Sequence, residues 1–237
     1  MLKAAVIDIE GTTSSTSFVT DCLYPYSAAR VADWITAHQD DPQTSSALAQ
    51  VRALIGDPSA GLDRITAVLL GWIESDQKIT PLKTLQGLIW QRGFAAGELI
   101  SHFYPDAIPA LRDWKKSGLS LYVFSSGSVA AQRAWFAHSP DGNLESLISG
   151  NFDTENAGPK REARSYRKIA AAIHASSGQI VFVSDLAAEL DAARQAGWHT
   201  AGVRRPGEKY YHDGVGGHLE VSSLAELELS GEQPARK

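Results

Sequence analysis

The sequence predicts an α/β fold in which a doubly wound parallel sheet carries an inserted all-helical domain. Three observations lead to this prediction. Short apolar runs that end in polar residues occur at 4–7, 119–124 and 179–183. Apolar residues recur at helical spacing over about 19–100, and strand patterns alternate with helix patterns from Tyr104 onward. Such alternation favours right-handed βαβ units and therefore a parallel sheet.

The first strand leads into residues that can carry chemistry. The apolar run 4–7 is followed at once by Asp8 and Glu10, and then by glycine and two threonines. Open α/β sheets place their ligands at the carboxyl ends of parallel strands. An aspartate there can attack phosphorus as a covalent nucleophile, with the second carboxylate as acid and base. The alternative is a capped turn in which both carboxylates are merely solvated.

The later strands lead into the other groups that an aspartyl-phosphate mechanism would need. These groups, in chain order, are Ser125, Ser126, Gly127, Lys160 and Asp185. Hydroxyl and backbone N–H groups can hold phosphoryl oxygens, a lysine can neutralise the transferring group, and a further carboxylate can bind a metal ion. Structural interpretations also exist: Ser125 and Ser126 could cap a helix, Lys160 could be a solvated surface lysine, and Asp185 could cap the helix carrying Glu189.

Other titratable residues are interpreted as structural. Glu189 and Asp191 could assist a metal ion indirectly, but a solvated helix face is the favoured interpretation. The histidines show no metal-ligand spacing. His102 and His138 could reach the site, yet we interpret them as surface residues. No Gly-x-Ser-x-Gly or Gly-x-x-x-x-Gly-Lys motif occurs, which disfavours a serine hydrolase and a nucleoside triphosphatase.

The helical stretch predicts a separate domain. We expect a core domain of residues 1–16 and 104–229, and a helical cap domain of residues 17–103 inserted after the first strand. An insertion at this place would cover the strand ends. Residues 230–237 are polar and lack an apolar partner, so we expect a disordered tail.

Composition narrows the class of protein. The net charge of −5 shows no electrostatic footprint for nucleic acid. The single cysteine, Cys22, excludes an internal disulfide and suits a reducing compartment. Met1, Leu2 and Lys3 pass directly into the first strand without a leader pattern, and no apolar run reaches membrane-spanning length. We therefore expect a soluble cytoplasmic protein that binds neither nucleic acid nor membrane.

The order of the candidate residues resembles the haloacid dehalogenase-like (HAD-like) superfamily of phosphatases. Its motifs are an Asp-x-Asp strand end, a Ser or Thr strand end, a Lys and a final acidic strand end. Asp8, Ser125, Lys160 and Asp185 fall on those positions. This chain departs from the commonest pattern in one respect, because Glu10 stands where most of these phosphatases have Asp.

The variant with Glu looks like the bifunctional enolase-phosphatase of methionine salvage. The motif itself is Asp-Ile-Glu-Gly-Thr-Thr at 8–13. Similar stretches are spread over nearly the whole chain, at 23–26, 83–87 with Trp90, 122–132, 152–154, 165–170 and 205–207. The resemblance implies a HAD-like core with a helical cap.

The resemblance also implies catalytic and substrate-binding roles. Asp8 would become the aspartyl phosphate, and Glu10 would protonate the leaving oxygen and then deprotonate the attacking water. Lys160 would neutralise both the nucleophile and the phosphoryl group. The phosphate would be bound by Ser125, Ser126, Gly127 and Lys160.

The implied cofactor is one Mg²⁺ ion per chain, held by Asp8, by Glu10 through its backbone carbonyl, and by Asp185. The implied substrate is 2,3-diketo-5-methylthiopentyl 1-phosphate, which is enolised and then dephosphorylated to an acireductone. Our hypothesis is that the extra methylene of Glu10 supplies the reach for enolisation. The resemblance further suggests a monomer. Two alternatives stay open at this point: a phosphatase of the same fold acting on another small phosphate monoester, and a non-catalytic module that binds a phosphate ligand.

Overall fold

A computed structural model of the protein describes residues 1–230. The chain divides into two compact units. The first is formed by Met1–Phe18 together with the described residues from Ser101 onward, and the second by Val19–Ile100. Of the tail predicted to be disordered, 230–237, all but Ser230 lies outside the described residues.

The first unit is built on a parallel sheet with six strands among the described residues. The strands are β1 (Ala4–Ile7), β2 (Ser120–Phe124), β3 (Ile148–Phe152), β4 (Ile180–Ser184), β5 (His199–Val203) and β6 (Leu219–Val221). They lie in the order β3-β2-β1-β4-β5-β6, and each neighbouring pair is parallel. The chain thus adds strands on one side of β1 and later on the other, which makes the sheet doubly wound. The predicted fold class is confirmed.

Two strands begin one residue later than the apolar runs predicted. Leu119 donates its backbone N–H to the Trp114 carbonyl and so still belongs to the end of the preceding helix. Gln179 closes a short helical turn with Ser176 through reciprocal side-chain and backbone hydrogen bonds. In both places a local hydrogen bond takes the residue that the apolar pattern would assign to the strand.

The helices follow the pattern expected for each unit. They are α1 (Thr16–Phe18), α2 (Tyr24–Ala28), α3 (Val31–His38), α4 (Pro42–Ile55), α5 (Leu62–Glu74), α6 (Thr80–Ala95), α7 (Ala107–Lys116), α8 (Val129–Ala137), α9 (Ala163–Ala172) and α10 (Ala187–Gln195). Helices α2 to α6, with a π-helical turn at Val19–Leu23, make up the second unit.

Each unit has its own apolar core. In the first, Phe124, Tyr166 and Phe182 are fully buried between the sheet and α9, with ring centroids 5.1 to 6.4 Å apart. Offset and edge-on aromatic packing of this kind stabilises a core beyond simple burial. The core of the second unit is aliphatic, and its fully buried members include Ile35, Ile65, Leu69, Leu82 and Leu85.

None of the helices in the described part of the chain combines the length and the apolar character that crossing a membrane requires.

Candidate active site

Three candidate residues lie directly after neighbouring strands. Asp8 follows β1, Ser125 follows β2 and Asp185 follows β4. β1 and β4 are also the strands between which the direction of strand addition reverses, and doubly wound sheets bind ligands at this point. The three residues are only 4% to 8% exposed. The sheet therefore brings these residues to one edge, as their positions in the sequence predict.

The turn after Asp8 is closed by a single carbonyl group. The Ile9 oxygen accepts three backbone N–H groups at 2.9 to 3.2 Å, those of Thr12, Thr13 and Ser14. The Thr13 hydroxyl also donates to the Asp8 carbonyl at 3.2 Å. Glu10, which is partly exposed, lies within this turn. A turn so closed on itself holds Asp8 and Glu10 in a defined relation to each other.

Gly11 allows the Asp8 turn to approach Asp185. Its φ of +72° lies in the left-handed region, and a Cβ atom at this position would lie 2.1 Å from Asp185 Oδ2. Only glycine tolerates both conditions without strain. The close packing against Asp185 therefore explains why the motif Asp-x-Glu-Gly ends in glycine.

Lys160 joins the site by two short ion pairs. Its Nζ lies 2.7 Å from Asp8 Oδ1 and 2.7 Å from Glu189 Oε2. The residue is 9% exposed, so the interpretation as a solvated surface lysine is wrong. Burial by itself lowers the pKa of Lys160, but the carboxylates of Asp8 and Glu189 outweigh burial and raise it. Lys160 is thus an ammonium group throughout the physiological range.

The loop that carries Lys160 is fixed from α9. The Tyr166 hydroxyl donates to the Lys160 carbonyl at 2.7 Å, and the Ser165 hydroxyl donates to the Pro159 carbonyl at 2.7 Å. Gly158 has a φ of +109°, and a Cβ there would collide with Ser165 Oγ. Helix α9 therefore determines where the ammonium group lies.

Glu189 corrects the sequence interpretation. The sequence pattern favours a solvated helix face for Glu189, but the residue is only 8% exposed. Its carboxylate pairs with Lys160 and accepts a hydrogen bond from the Ser184 hydroxyl at 3.0 Å. Burial raises the pKa of Glu189, and the Lys160 ammonium works against this rise. Asp191 does lie on the outer face, with a side chain that is 48% exposed. Helical spacing alone does not predict which of these two carboxylates is buried.

The cluster holds more carboxyl groups than cationic groups. Asp8, Asp185 and Glu189 share one ammonium group, that of Lys160. Burial and the negative charges of Asp8 and Glu189 raise the pKa of Asp185 to about 8. The Lys160 ammonium lowers the pKa of Asp185 but does not offset the rise caused by burial and by the two other carboxylates.

This donor set fits a divalent cation. Carboxylate oxygens from the buried residues Asp8 and Asp185 are ligands of the kind that Mg²⁺ prefers, and a bound cation would favour the ionised form of Asp185. Within residues 1–230 no three His, Cys, Asp or Glu side chains are grouped to hold a metal ion. The predicted set differs from such a group, because its third protein ligand is the Glu10 backbone carbonyl.

The loop after β2 is organised by Ser128 rather than by Ser125 or Ser126. Ser128 is the N-cap of α8, and its hydroxyl accepts the Ala131 N–H at 3.2 Å. The Ser125 hydroxyl accepts the Gly127 N–H at 3.3 Å. The alternative in which Ser125 or Ser126 caps the helix is therefore wrong. Asp185 likewise makes no capping hydrogen bond to α10, whose N-cap is Leu186.

Two buried polar residues support this loop and were given no role from the sequence. Gln132 Nε2 donates to the carbonyl oxygens of Gly127 and Phe152 at 2.9 and 2.8 Å. Asp153 accepts the Val129 N–H at 3.1 Å. Both residues lie in stretches that resemble the enolase-phosphatase family, and this resemblance is the only sequence feature noted above that points to a role for them.

His102 contacts the end of the Asp8 turn. Its Nδ1 accepts the Ser15 N–H at 3.2 Å and lies 3.1 Å from the Ser14 hydroxyl. The ring packs between Phe18 and Tyr104. His102 is therefore half-buried rather than a surface residue. His138 is also half-buried, with its ring 2.9 Å from the Ala134 carbonyl of its own helix and its carbonyl accepting the Ser101 N–H at 2.9 Å.

Known proteins match both the sequence and the fold. A family profile described as haloacid dehalogenase-like hydrolase covers residues 2–197. The sheet and the cluster of carboxylates around Lys160 define a hydrolase of this class. The chain is 55% identical to "Enolase-phosphatase E1" of Streptomyces avermitilis, over 97% of this chain and 96% of that protein. It is 49% identical to the protein of the same name in Frankia alni, with 95% and 94% covered.

A solved structure extends the match. The UTR4 protein of Saccharomyces cerevisiae superposes with a TM-score of 0.79 at 30% identity, over 96% of this chain and all of that chain. The chain belongs to the enolase-phosphatase E1 family of haloacid dehalogenase-like hydrolases. The resemblance found in the sequence is confirmed, and with it the prediction of an enzyme rather than a binding module.

Proposed function

We propose that this enzyme is a Mg²⁺-dependent enolase-phosphatase that converts 2,3-diketo-5-methylthiopentyl 1-phosphate to the acireductone of methionine salvage. The observation that carries this proposal is the 2.7 Å contact between Lys160 Nζ and Asp8 Oδ1, at the strand ends of a chain 55% identical to an enolase-phosphatase. An aspartate can attack phosphorus as a covalent nucleophile, and a buried ammonium beside it can stabilise the negative charge of the transferring phosphoryl group.

Phosphoryl transfer takes place in two displacements. An Asp8 carboxylate oxygen bonds to phosphorus as the bond to the substrate oxygen breaks, and Glu10 gives that oxygen a proton. Water then bonds to phosphorus and the bond to Asp8 breaks, while Glu10 takes a proton from the water. Asp8 and Glu10 return to their starting states, which balances the cycle.

Charge stabilisation comes from fixed groups. Lys160 neutralises the phosphoryl oxygens, and its two ion pairs hold the ammonium in place before substrate binds. Ser125, Ser126 and the N–H groups around Gly127 bind phosphoryl oxygens on the other side. Ser125 is already buried, and its hydroxyl is held in place because it accepts the Gly127 N–H. Preorganised donors of this kind supply much of the rate enhancement in phosphoryl transfer.

Asp8, Asp185 and the Glu10 carbonyl would hold the Mg²⁺ ion. When bound, this ion supplies positive charge that screens the phosphate from the carboxylates. The protein contributes a set of oxygen donors in which both carboxyl groups, those of Asp8 and Asp185, are already buried at the strand ends.

Enolisation requires a base beside the carbon that carries the phosphate ester, because the acireductone has its enol at that carbon. We assign this base to Glu10. Ionised Glu10 removes a proton from that carbon, and the electron pair of the broken C–H bond forms the carbon–carbon double bond as the neighbouring carbonyl oxygen becomes an enolate oxygen, which takes a proton from solvent. Glu10 is then in the protonated state from which it gives a proton to the leaving oxygen. After phosphate release, Glu10 loses the proton taken from water to solvent and is ionised again. Glutamate reaches one methylene further than the aspartate of most related phosphatases.

An absorbance and phosphate-release assay on the diketo phosphate, with Mg²⁺ and with EDTA, tests the proposal. In the presence of Mg²⁺ we expect an enol absorbance that rises and then decays as phosphate appears. In EDTA we expect neither signal. Phosphate released from simple esters but not from the diketone would identify a phosphatase of another small ester. No release from any ester would overturn the catalytic proposal.

We also propose that the enzyme is a cytoplasmic monomer. The single, exposed Cys22 supports a reducing compartment. Light scattering of the purified protein measures the oligomeric state, and a mass of twice the chain would refute the monomer.

A further inference from the structure

Arg205 makes a buried contact with the Asp8 turn. Its Nε and Nη2 donate to the Thr12 carbonyl at 3.1 and 3.0 Å. Arg205 is 6% exposed and Thr12 is fully buried. Two donors from one rigid guanidinium on one carbonyl specify both its distance and its direction. Nothing in the function proposed above uses this residue.

Arg205 is itself held in place by residues outside the turn. Nη1 lies 2.9 Å from Asp106 Oδ1, and the guanidinium stacks 4.3 Å above the Tyr104 ring. The other Asp106 oxygen accepts the Ser223 hydroxyl at 2.9 Å and the Leu224 N–H at 2.7 Å. The guanidinium is thus an anchored group and not a side chain that adapts to the turn.

The same loop binds the turn at a second point. Glu208 accepts the Thr16 N–H at 3.1 and 3.2 Å and the Tyr104 hydroxyl at 2.5 Å. Glu208 and Arg205 are joined by a backbone hydrogen bond of 3.1 Å. The segment that follows Asp8 and Glu10 is therefore tied to one loop at two places, four residues apart.

We propose that Arg205 is a positioning residue for this enzyme's chemistry, which sets the place of Glu10 through the Thr12 carbonyl. The Ile9 oxygen links Thr12 to the start of the same turn by a 3.2 Å hydrogen bond, so a displaced Thr12 displaces the backbone that carries Glu10. This inference rests on the function proposed above, in which Glu10 is the acid and base.

Arg204 provides a matched control. Its Nε and Nη2 donate to the Tyr211 carbonyl at 3.0 and 2.8 Å, and its Nη1 donates to Glu220 at 2.9 Å. The guanidinium stacks 4.7 Å from the Tyr211 ring. Arg204 thus makes the same set of contacts as its neighbour, but with a segment that carries no candidate site residue.

Single-turnover kinetics on the diketo phosphate, with enzyme in excess, tests the proposal. When the folded enzyme is in saturating excess over substrate, the rate constants for enol formation and phosphate release do not depend on the fraction of enzyme that is folded. We expect both to fall about 10²-fold in Arg205→Gln, as for a misplacement of about 1 Å. Arg205→Lys should fall less, because it keeps the charge toward Asp106, and Arg204→Gln should stay within about twofold of wild type.

Several results would overturn the inference. Rate constants at the wild-type level in Arg205→Gln, with only a lower melting temperature, would make Arg205 a purely structural residue. An equal fall in Arg204→Gln would show a general effect of losing a guanidinium, and failure of both Arg205 variants to fold would likewise show a structural role. A wild-type enzyme that forms neither enol nor phosphate would instead refute the proposed function, and this inference with it.

Discussion

Gly11 and Asp185 pack so closely that their contact leaves no room for a side chain at position 11. A Cβ atom there would lie 2.1 Å from Asp185 Oδ2 and 2.6 Å from its Cγ. The two residues come from different strand ends, and their contact holds the first and last motifs of the site together. The approach also brings the Asp8 turn beside a carboxylate whose pKa is raised to about 8, mainly by burial.

Gly11→Ala is therefore expected to abolish most activity. The new methyl group must displace the Asp8 turn or Asp185, and we expect turnover to fall by about 10²-fold or more. Gly56→Ala is the matched control, because Gly56 has a φ of +67° with nothing within 4 Å of its Cβ position. Both variants should lose about 1–2 kcal/mol of stability from left-handed strain. Thermal melts and turnover are the measurements, and an active Gly11→Ala enzyme would contradict the contact.

Asp8→Asn is expected to lose turnover while keeping the fold. The amide cannot form the aspartyl phosphate, so phosphate release should fall at least about 10³-fold. Substrate binding with Mg²⁺ should persist, because the amide oxygen of Asn can still accept from Lys160 and bind the ion, and the Ser125 loop is unchanged. Calorimetry measures binding, and a phosphate assay measures turnover. Release above about 1% of the wild-type rate would remove Asp8 from the role of nucleophile.

Glu189→Gln separates a buried carboxylate from an exposed one on the same helix. Loss of one of its two carboxylate partners should leave Lys160 less well placed, and we expect kcat to fall about 10-fold or more, as for other supporting residues. Asp191→Asn, two residues further along α10, removes a half-exposed carboxylate and should leave kcat unchanged. Steady-state kinetics gives kcat for the two variants and tests whether only the buried carboxylate matters. Equal kcat values would mean that Glu189 does not position Lys160.

The sequence predicted the sheet and the strand ends because both depend on local pattern. Apolar runs with polar residues after them place Asp8, Ser125 and Asp185 without any knowledge of distance. The parallel topology then brings these strand ends to one edge. The positions of the strands along the chain were therefore sufficient to predict that Asp8, Ser125 and Asp185 lie close together.

Contacts between remote segments could not be predicted in the same way. Glu189 repeats the helical pattern of its neighbours, and only the Lys160 loop distinguishes its face of α10. Arg205 contacts Thr12 across 193 positions of sequence, with no pattern that links the two. Ser128 displaced Ser125 and Ser126 as the helix cap because Asp153 and Gln132 hold the loop in a conformation that local propensity does not specify.

Glu10→Asp should distinguish the two half-reactions. The shorter side chain keeps the acid and base chemistry but withdraws the carboxylate by one methylene. We therefore expect enolisation of the diketo phosphate to slow more than hydrolysis of a simple phosphate ester. The enol absorbance and phosphate release, measured on both substrates, provide the comparison. Equal losses in the two reactions would refute the assignment of Glu10 as the enolisation base.

His102 should make the folded protein less stable in mild acid. Burial lowers the pKa of His102, although Glu208 opposes this shift, and Nδ1 must stay unprotonated to accept the Ser15 N–H. Below the unfolded pKa of about 6.5 the unfolded chain binds this proton more readily than the folded chain, so stability falls as pH falls through that range. His102→Asn retains an acceptor without a titrating ring and should shrink the difference in melting temperature between about pH 7.5 and pH 5.5. His212→Asn, at an exposed position, is the control, and an unchanged difference in His102→Asn would show that protonation of this ring does not limit stability.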